Sequence, residues 1–309
     1  MDIDIIKKTF EAKTHKYVQA IHELENVPNN RVYRIETESC PYIFKIYSSL
    51  DWPENGKLAF VAAKLREFDI PVARILVFCR DNDNFPNGYL IEECLPGITA
   101  DRLTLSAPET LSLFGQLGEL MSRVHTIKLT NFGYFGGSGI ADWSVFSEFI
   151  YNTLSDCTER LIGGGILNPE NLEIIRNAVR EKLRICDKFP SALCHGDLST
   201  KNALVDSRNI TLIDWDDALA LCWTADIARM TLWLKLNYDV GTSAAYRKAF
   251  LDHYETDCDK NIFDVVEDAL HVFYGLDLLN YYAGTPMAEK VRPLVQNALR
   301  KCEIAIELM

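Results

Sequence analysis

Residues 194–218 read CHGDLSTKNALVDSRNITLIDWDDA. The stretch combines two short β-like runs with a dense set of ionisable side chains. Buried charges are costly unless they are paired or bound to a metal. The stretch therefore indicates either a polar turn between strands or a site that holds a metal ion and a highly charged ligand.

Three oxygen-bearing side chains in this stretch have a spacing that suits phosphate chemistry. Asp197 and Asn202 lie five residues apart in a loop, and Asp214 follows Asn202 by twelve residues. If the two β-like runs pair, Asn202 and Asp214 come to neighbouring ends of one hairpin, with Asp197 beside them. A carboxylate and an amide oxygen form a hard-oxygen pair that suits Mg²⁺. A further carboxylate can accept a proton from an attacking hydroxyl, which completes the set of groups that phosphoryl transfer needs.

The composition limits the class of protein. The chain has 309 residues, of which 48% are apolar, and a formal net charge of −12. It is long enough to bury a sizeable core in one large domain or two. The acidic balance argues against nucleic acid as a partner, because phosphate backbones are bound by basic surfaces. It is compatible with a cationic small substrate, although a solvated acidic surface explains it more simply.

The cysteine spacing and the hydropathy of the sequence predict the cellular compartment of the protein. Nine cysteines stand singly, with no CxxC pair, which is typical of reduced thiols in a cytoplasmic protein. The N-terminal MDIDIIKKTF is unlike a signal peptide, and no apolar run reaches about 18 residues. We expect a soluble, cytoplasmic protein with no membrane partner. Nothing in the sequence indicates an oligomeric state.

The first part of the chain predicts a small antiparallel sheet. Residues 31–37 and 42–48 are strand-like runs separated by a short turn, so a hairpin is expected. Residues 75–80 and 88–95 predict two more strands on either side of the turn DNDNFPNG. Residues 52–68 predict a helix between these two pairs, with a proline in its first turn.

The pattern of apolar residues changes after residue 95, where helical periodicity becomes dominant. The predicted helical segments are 107–127, 143–162, 168–189 and most of 222–309. Glycine-rich residues 131–143 neither follow a predicted strand nor open directly onto a helix, so they predict a flexible connector and not a phosphate-binding loop. We therefore predict an α+β fold with an N-lobe over 1–95 and a mainly helical C-lobe over 96–309.

The polar motif resembles a known family signature. His195-Gly-Asp197-Leu-Ser-Thr-Lys-Asn202, followed by LIDWDDA around Asp214, resembles the signature of the aminoglycoside phosphotransferase and choline kinase-like family. The members of this family are relatives of the protein kinases that phosphorylate small molecules. Residues 32–47 are similar to the family's nucleotide-loop region and the strand that bears its ATP lysine, and residues 68–76 to the segment that leads from the N-lobe helix to the sheet. Residues 89–97 are similar to the hinge and residues 117–127 to a C-lobe helix. The resemblance implies a bilobal, protein-kinase-like fold.

The resemblance also implies roles for individual residues. The implied roles are catalytic base for Asp197, Mg²⁺ ligands for Asn202 and Asp214, contact with the ATP or GTP phosphates for Lys45, and backbone binding of the purine for Glu93 and Leu95. His195 is expected to support the catalytic loop structurally. Lys201 is expected to be an exposed loop lysine.

One part of the family pattern is missing. The family's lysine is normally braced by a glutamate on the following helix, but residues 58–60 contain no acid at that place. Glu54, in the predicted first turn, is favoured over Glu67 as the replacement partner of Lys45, and an absent ion pair is the other alternative. Asp216 and Asp217 could contribute to the metal field, but Asp217 is expected to be a cap or a surface group.

The resulting prediction is a Mg²⁺-dependent phosphotransferase that moves a phosphoryl group from ATP or GTP to a hydroxyl of a small molecule. The acceptor stays open among aminoglycoside-like, choline-like and sugar-like compounds. Asp277, Tyr281 and Tyr282 are expected to lie either in the helical core or along an acceptor cleft. Two alternatives remain: a catalytically weak or inactive nucleotide-binding protein of the same fold, and a metal-dependent phosphohydrolase that uses His195 and the nearby aspartates as ligands.

Overall fold

A computed structural model gives the fold of most of the chain. The described residues are 3–24, 30–80, 82–156, 158–207 and 209–308. Positions used in the predictions that lie outside the described residues include Met1 and Asp2 of the N-terminal segment, Asp81 in a predicted turn, Cys157 of the cysteine set, Arg208 in the turn of the predicted hairpin and Met309.

Helices and strands are numbered in chain order. The helices are α1 (Ile3–Thr14), α2 (Lys57–Glu67), α3 (Ala107–Val124), α4 (Phe146–Asp156), α5 (Glu159–Gly163), α6 (Pro169–Leu183), α7 (Thr224–Asn237), α8 (Val240–His253), α9 (Asn261–Tyr281) and α10 (Pro286–Lys301). The strands are β1 (Val18–Glu23), β2 (Arg31–Thr37), β3 (Tyr42–Ile46), β4 (Ile75–Cys79), β5 (Tyr89–Glu93), β6 (Ile98–Thr99), β7 (Phe132–Phe135), β8 (Ala141–Trp143), β9 (Ala192–Cys194), β10 (Ala203–Asp206), β11 (Asn209–Leu212) and β12 (Leu219–Leu221).

The chain divides into two compact units. Unit 1 comprises Met1–Arg102, Gly136–Ser138 and Ala203–Asp216. Unit 2 comprises the remaining segments, which are Leu103–Phe135, Gly139–Asn202 and Asp217–Met309. Residues 194–218 are called the acidic motif below, and unit 1 includes its β10–β11 hairpin as well as the N-terminal sheet. The functional boundary at residue 95 stays a prediction.

Unit 1 is built on a five-stranded antiparallel sheet in the order β1-β2-β3-β5-β4. The predicted hairpin is confirmed, because Tyr33 of β2 pairs with Phe44 of β3. Side chains alternate between the two faces of a strand. Phe44 accordingly packs into an aromatic and aliphatic core that includes Phe10 of α1, whereas its neighbour Lys45 belongs to the opposite face.

A second, three-stranded sheet of unit 1 contains strands β10 and β11, which lie within residues 194–218. Its order is β11-β10-β6. Ala203 pairs with Leu212 in the β10–β11 hairpin, as the alternation of the two runs predicts. Asp214 follows Leu212 by two residues, so the register of the hairpin fixes the position of the Asp214 backbone.

Helix α2 begins later than predicted. It starts at Lys57, so Pro53 and Glu54 precede it and the predicted first turn was wrong. The N-cap is Gly56, whose φ of 78° lies in the left-handed region. A Cβ at Gly56 would lie 2.8 Å from the Cα of Gly137, so the close backbone approach also requires glycine.

Unit 2 is mainly helical, as predicted. Helix α3 begins with a capping box formed by Ser106 and Glu109, and its buried face includes Leu117 and Met121. Paired caps of this kind satisfy N-terminal amide groups that have no partner inside the helix. No helix in the described part of the chain is long and apolar enough to cross a membrane.

Unit 2 also contains a sheet that the sequence analysis missed. Its order is β8-β7-β12-β9, and all neighbouring strands are antiparallel. The flexible-connector prediction for residues 131–143 was wrong, because β7 and β8 occupy both ends of that segment. The predicted helix over 143–162 begins only at Phe146, since Trp143 ends β8.

Candidate active site

Lys45 is the centre of a buried ion-pair group in unit 1. Its Nζ lies 2.6 Å from Oδ1 of Asp214 and 2.9 Å from Oδ2 of Asp216. Tyr47 donates its hydroxyl to Oδ1 of Asp216 at 3.2 Å. Burial alone would lower the pKa of Lys45, but Asp214 and Asp216 raise it well above its ordinary value. The lysine is therefore a permanent cation on an otherwise buried face of β3.

The structure corrects the predicted partner of Lys45. Glu54 pairs with Lys57 and not with Lys45. Lys57 is completely buried at the start of α2, where it also donates to the backbone oxygen of Asp216 at 3.2 Å. Asp216 thus braces Lys45, which is the function that the family pattern assigns to a helical glutamate. Its predicted contribution to the metal field stays a prediction.

A pocket in unit 1 adjoins this group. Its polar lining residues are Lys45, Glu92, Asp214 and Asp216, and its apolar wall comes from α2, β4, β5 and residues 212–213. Burial is the largest cause that raises the pKa of Glu92 to about 7; Lys45 opposes the rise, and Asp216 and Asp214 contribute to it. The pocket therefore contains an acid that changes its charge near neutral pH.

Asp214 has an unusual backbone conformation. Its φ is 63°, in the left-handed region that non-glycine residues rarely adopt. Its side chain is 46% exposed although Lys45 is almost fully buried. Strained backbone of this type persists where the surroundings enforce it, and it is concentrated at functional sites. The carboxylate is therefore held at the surface in a fixed orientation.

The catalytic-loop candidates Asp197 and Asn202 come together in unit 2. Nδ2 of Asn202 donates to the backbone oxygen of Asp197 at 2.9 Å and to its Oδ2 at 3.0 Å. Because the amide nitrogen is used in this way, the amide oxygen is the Asn202 atom left for a ligand. The other carboxylate oxygen of Asp197 accepts from Arg229.

Asp226 of α7 fixes the backbone of the loop that contains Asp197. Its carboxylate accepts from the backbone N–H groups of His195 at 2.6 Å and Gly196 at 2.8 Å. The hydrogen bond from His125 helps to lower the pKa of Asp226 although burial opposes the shift. His195 is fully buried, and its Nδ1 accepts from the backbone of Asp197 at 3.3 Å. This is the position of a supporting residue and not of a reactant.

Arg229 is a site residue that the sequence analysis missed. It follows Asp226 by three residues on α7, and its Nη2 lies 3.2 Å from Oδ1 of Asp197. Burial alone would lower the pKa of Arg229, but Asp197 and Asp277 raise it. The i, i+3 spacing from Asp226 places both residues on one face of a helix. Only the fold relates that face to Asp197.

Two expectations about the surroundings can be compared with the structure. Asp277 and Tyr282 are both half-buried, and burial raises the pKa of each whereas Arg229 lowers it. Lys201 is exposed, as expected, and lies 5.7 Å from the ring centre of Trp233.

In the described part of the chain, no grouping of potential metal ligands includes His195. Among the described residues, the one grouping of potential metal ligands is His125, Cys194 and Asp226. His125 already contacts Asp226 at 3.2 Å and Tyr254 at 2.8 Å. Burial raises the pKa of Cys194 well above its ordinary value, which keeps this thiol protonated. The grouping is a structural hydrogen-bond network.

Several solved structures share the fold. A thermostable mutant of aminoglycoside phosphotransferase APH(4)-Ia, in ternary complex with AMP-PNP and hygromycin B, is 17% identical with a TM-score of 0.68 over 96% of both chains. A putative fructosamine-3-kinase from Thermobifida fusca is 19% identical with a TM-score of 0.66 over 98% of this chain and 100% of that chain. Spectinomycin phosphotransferase APH(9)-Ia, in complex with ADP and spectinomycin, is 13% identical with a TM-score of 0.59 over 95% and 93%.

These structural similarities confirm the predicted α+β, kinase-like fold class. No curated protein matches the sequence of the chain. The sequence model of the phosphotransferase enzyme family (APH) matches residues 23–262, which is more than half of the chain and includes the acidic motif. The chain therefore belongs to the phosphotransferase enzyme family.

Proposed function

We propose that this phosphotransferase transfers the γ-phosphoryl group of a nucleoside triphosphate to a hydroxyl of a small molecule. Asp197 accepts the proton of the acceptor hydroxyl while the oxygen of that hydroxyl forms a bond to the γ-phosphorus. The bond between that phosphorus and the β,γ-bridging oxygen breaks, and the nucleoside diphosphate leaves. Such a reaction depends mainly on positioning and charge neutralisation.

The observation that carries the proposal is the fixed arrangement of Asp197 and Asn202. Both oxygens of the Asp197 carboxylate accept hydrogen bonds, one from Asn202 and one from Arg229. The Asp197 side chain is nevertheless 32% exposed, so an acceptor hydroxyl can reach it. An ionised, oriented and accessible carboxylate is what a proton acceptor for an alcohol requires.

Asn202 and Asp214 are the residues that would hold Mg²⁺. The amide oxygen of Asn202 remains available, since its nitrogen donates to Asp197. Asp214 offers an exposed carboxylate. Both are hard-oxygen donors of the type that Mg²⁺ prefers. When bound, Mg²⁺ neutralises charge on the nucleotide phosphates.

The nucleotide would be bound by Lys45 and by backbone groups at the end of β5. Lys45 is held as a cation by two aspartates, which suits contact with phosphate oxygens. In the described part of the chain, the backbone N–H of Leu95 donates to no other residue, although its carbonyl accepts from Cys94. This N–H and the backbone of Glu93 are therefore the proposed purine contacts.

A panel assay tests the proposal. Purified protein is incubated with Mg·ATP or Mg·GTP and with hygromycin B, spectinomycin, a fructosamine or choline, and phosphorylated products are detected by mass spectrometry. We expect phosphorylation of at least one acceptor class, with loss of turnover when EDTA removes the metal. Nucleotide binding without turnover across a broad acceptor panel would instead favour a catalytically inactive kinase-like protein.

A further inference from the structure

Arg229 and Asp226 lie on the same helix but bind different parts of the catalytic loop. Asp226, on the same face of α7, holds the loop by its backbone N–H groups. Arg229 instead binds the Asp197 side chain, with Nη2 lying 3.2 Å from Oδ1. Asn202 binds the other carboxylate oxygen. The carboxylate is therefore held from two sides by donors on separate segments.

Contributions to stability do not explain why an arginine occupies this place. The Arg229 side chain is only 13% exposed, and among the described residues its Nε and Nη1 have no hydrogen-bond partner. Burying a guanidinium with unused donors costs free energy, and a buried ion pair is often no more stable than an apolar replacement. Residues that break such rules are expected at functional sites.

The surroundings of Arg229 fix its guanidinium in place. Its Cζ lies 5.8 Å from the ring centre of Trp233 and 5.5 Å from that of Tyr274. Arginine side chains stack well on aromatic rings, and their planar donors impose a direction on a bound carboxylate that a lysine cannot impose. The rings restrict the position of the cation, and the cation restricts the orientation of Asp197.

We propose that Arg229 is a positioning residue for phosphoryl transfer, which holds the Asp197 carboxylate in the orientation that accepts the acceptor proton. This inference rests on the proposed function, because it gives Asp197 the role of proton acceptor. Arg229 does not contact the nucleotide in this scheme. Its removal therefore affects the chemical step and leaves nucleotide binding unchanged.

The test compares Arg229→Met, Arg229→Lys and Arg229→Ala with the wild type in the phosphoryl-transfer assay. A misplacement of about 1 Å can cost about 100-fold in rate, so we expect Arg229→Met to lower kcat about 100-fold with an unchanged KM for Mg·ATP. Arg229→Lys keeps the charge without the planar donors and should recover part of the loss. Arg176→Met is the matched control, since Arg176 also stacks on an aromatic ring, that of Tyr151, in unit 2.

Chemical rescue separates positioning from a structural role. Guanidinium ion added to Arg229→Ala at non-denaturing concentration should restore part of kcat, whereas urea, a neutral planar analogue, should not. An Arg229→Met protein with wild-type kcat overturns the inference and leaves the proposed function intact. An equal loss in the Arg176→Met control, or rescue by urea as well, also overturns it. A wild type that transfers no phosphoryl group overturns both.

Discussion

Asp216 shows how one buried side chain can replace a contact from a different element. It binds Lys45 and accepts from Tyr47, and its backbone oxygen accepts from Lys57. Two buried lysines are thus compensated around the residue that follows Asp214 by two positions. Removing one partner of a buried pair is more costly than never having the pair, because the remaining charge is left without compensation.

Asp216→Asn should lower the free energy of unfolding by roughly 2–4 kcal/mol, because Lys45 then keeps only Asp214 as an anionic partner. Urea denaturation measures the change. Asp206→Asn is the matched control, since Asp206 lies exposed on β10 of the same unit, and this variant should change stability little. Equal stability of the two variants would contradict the assigned role of Asp216.

Glu92 gives the stability of the protein a defined pH dependence. Its pKa is raised from 4.5 to about 7 by burial, with Lys45 opposing and Asp216 and Asp214 adding to the rise. Between these two values the folded protein holds a proton that the unfolded chain has lost. The contribution of Glu92 to stability therefore falls as pH rises through this window and is constant above it.

Glu92→Gln mimics the protonated side chain and should remove this dependence. The stability difference between variant and wild type should be small near pH 5 and should grow in favour of the variant to at most about 3 kcal/mol near pH 8. Denaturation of the metal-free protein at several pH values measures it. A difference that does not vary with pH would contradict the location of Glu92 in the charged pocket.

At the scale of elements, the catalytic loop depends on one glycine at its turn. Gly196 has a φ of +82°, and a Cβ there would lie 1.9 Å from the carbonyl oxygen of Asp217. The left-handed backbone disfavours a larger residue, and the close approach excludes one. The backbone of Asp197 is therefore fixed by the fit between this loop and the segment that leads into β12.

Gly196→Ala should abolish most of the phosphoryl-transfer activity and should lower stability by roughly 3 kcal/mol or more, because the loop must move to relieve the clash. Gly165→Ala is the matched control. Gly165 has a φ of +70° with no atom within 4 Å of the added Cβ, so it should lose only about 1–2 kcal/mol and should keep its activity. Similar losses in both variants would show that backbone strain alone is responsible.

Elements with strong periodicity could be predicted, and those governed by distant contacts could not. The β10–β11 hairpin follows from alternation and a short turn. The start of α2 depends on Gly56 packing against Gly137, which no local pattern reveals. Strands β7 and β8 were missed for a related reason, because their glycine-rich sequence resembles a loop until β12 pairs with β7.

The site divides in the same way. Asp197, Asn202 and Asp214 were predicted from a motif with family spacing and Lys45 from the segment 32–47, and their roles stay proposals. The pairing of Lys45 with Asp216 spans 171 positions in sequence, and the contact of Arg229 with Asp197 spans 32. Such contacts are set by the packing of whole elements. The only local signal for Arg229 was its helical spacing from Asp226.

At the scale of the whole molecule, family membership and the two local arrangements support one account. Unit 1 holds a charged lysine beside an exposed, strained aspartate. Unit 2 holds an oriented carboxylate linked to an asparagine. The family model extends over both arrangements. The central claim is that Asp197 accepts the proton of the acceptor hydroxyl.

The rate of Mg·ATP-dependent phosphoryl transfer by Asp197→Asn, compared with that of the wild type, tests this claim most directly. Asparagine keeps the size and shape of the side chain but cannot accept the proton. Loss of general-base catalysis typically costs about 10²- to 10⁴-fold, so the account predicts a fall of that size with an unchanged affinity for Mg·ATP. Turnover close to that of the wild type, at equal nucleotide affinity, would contradict the account.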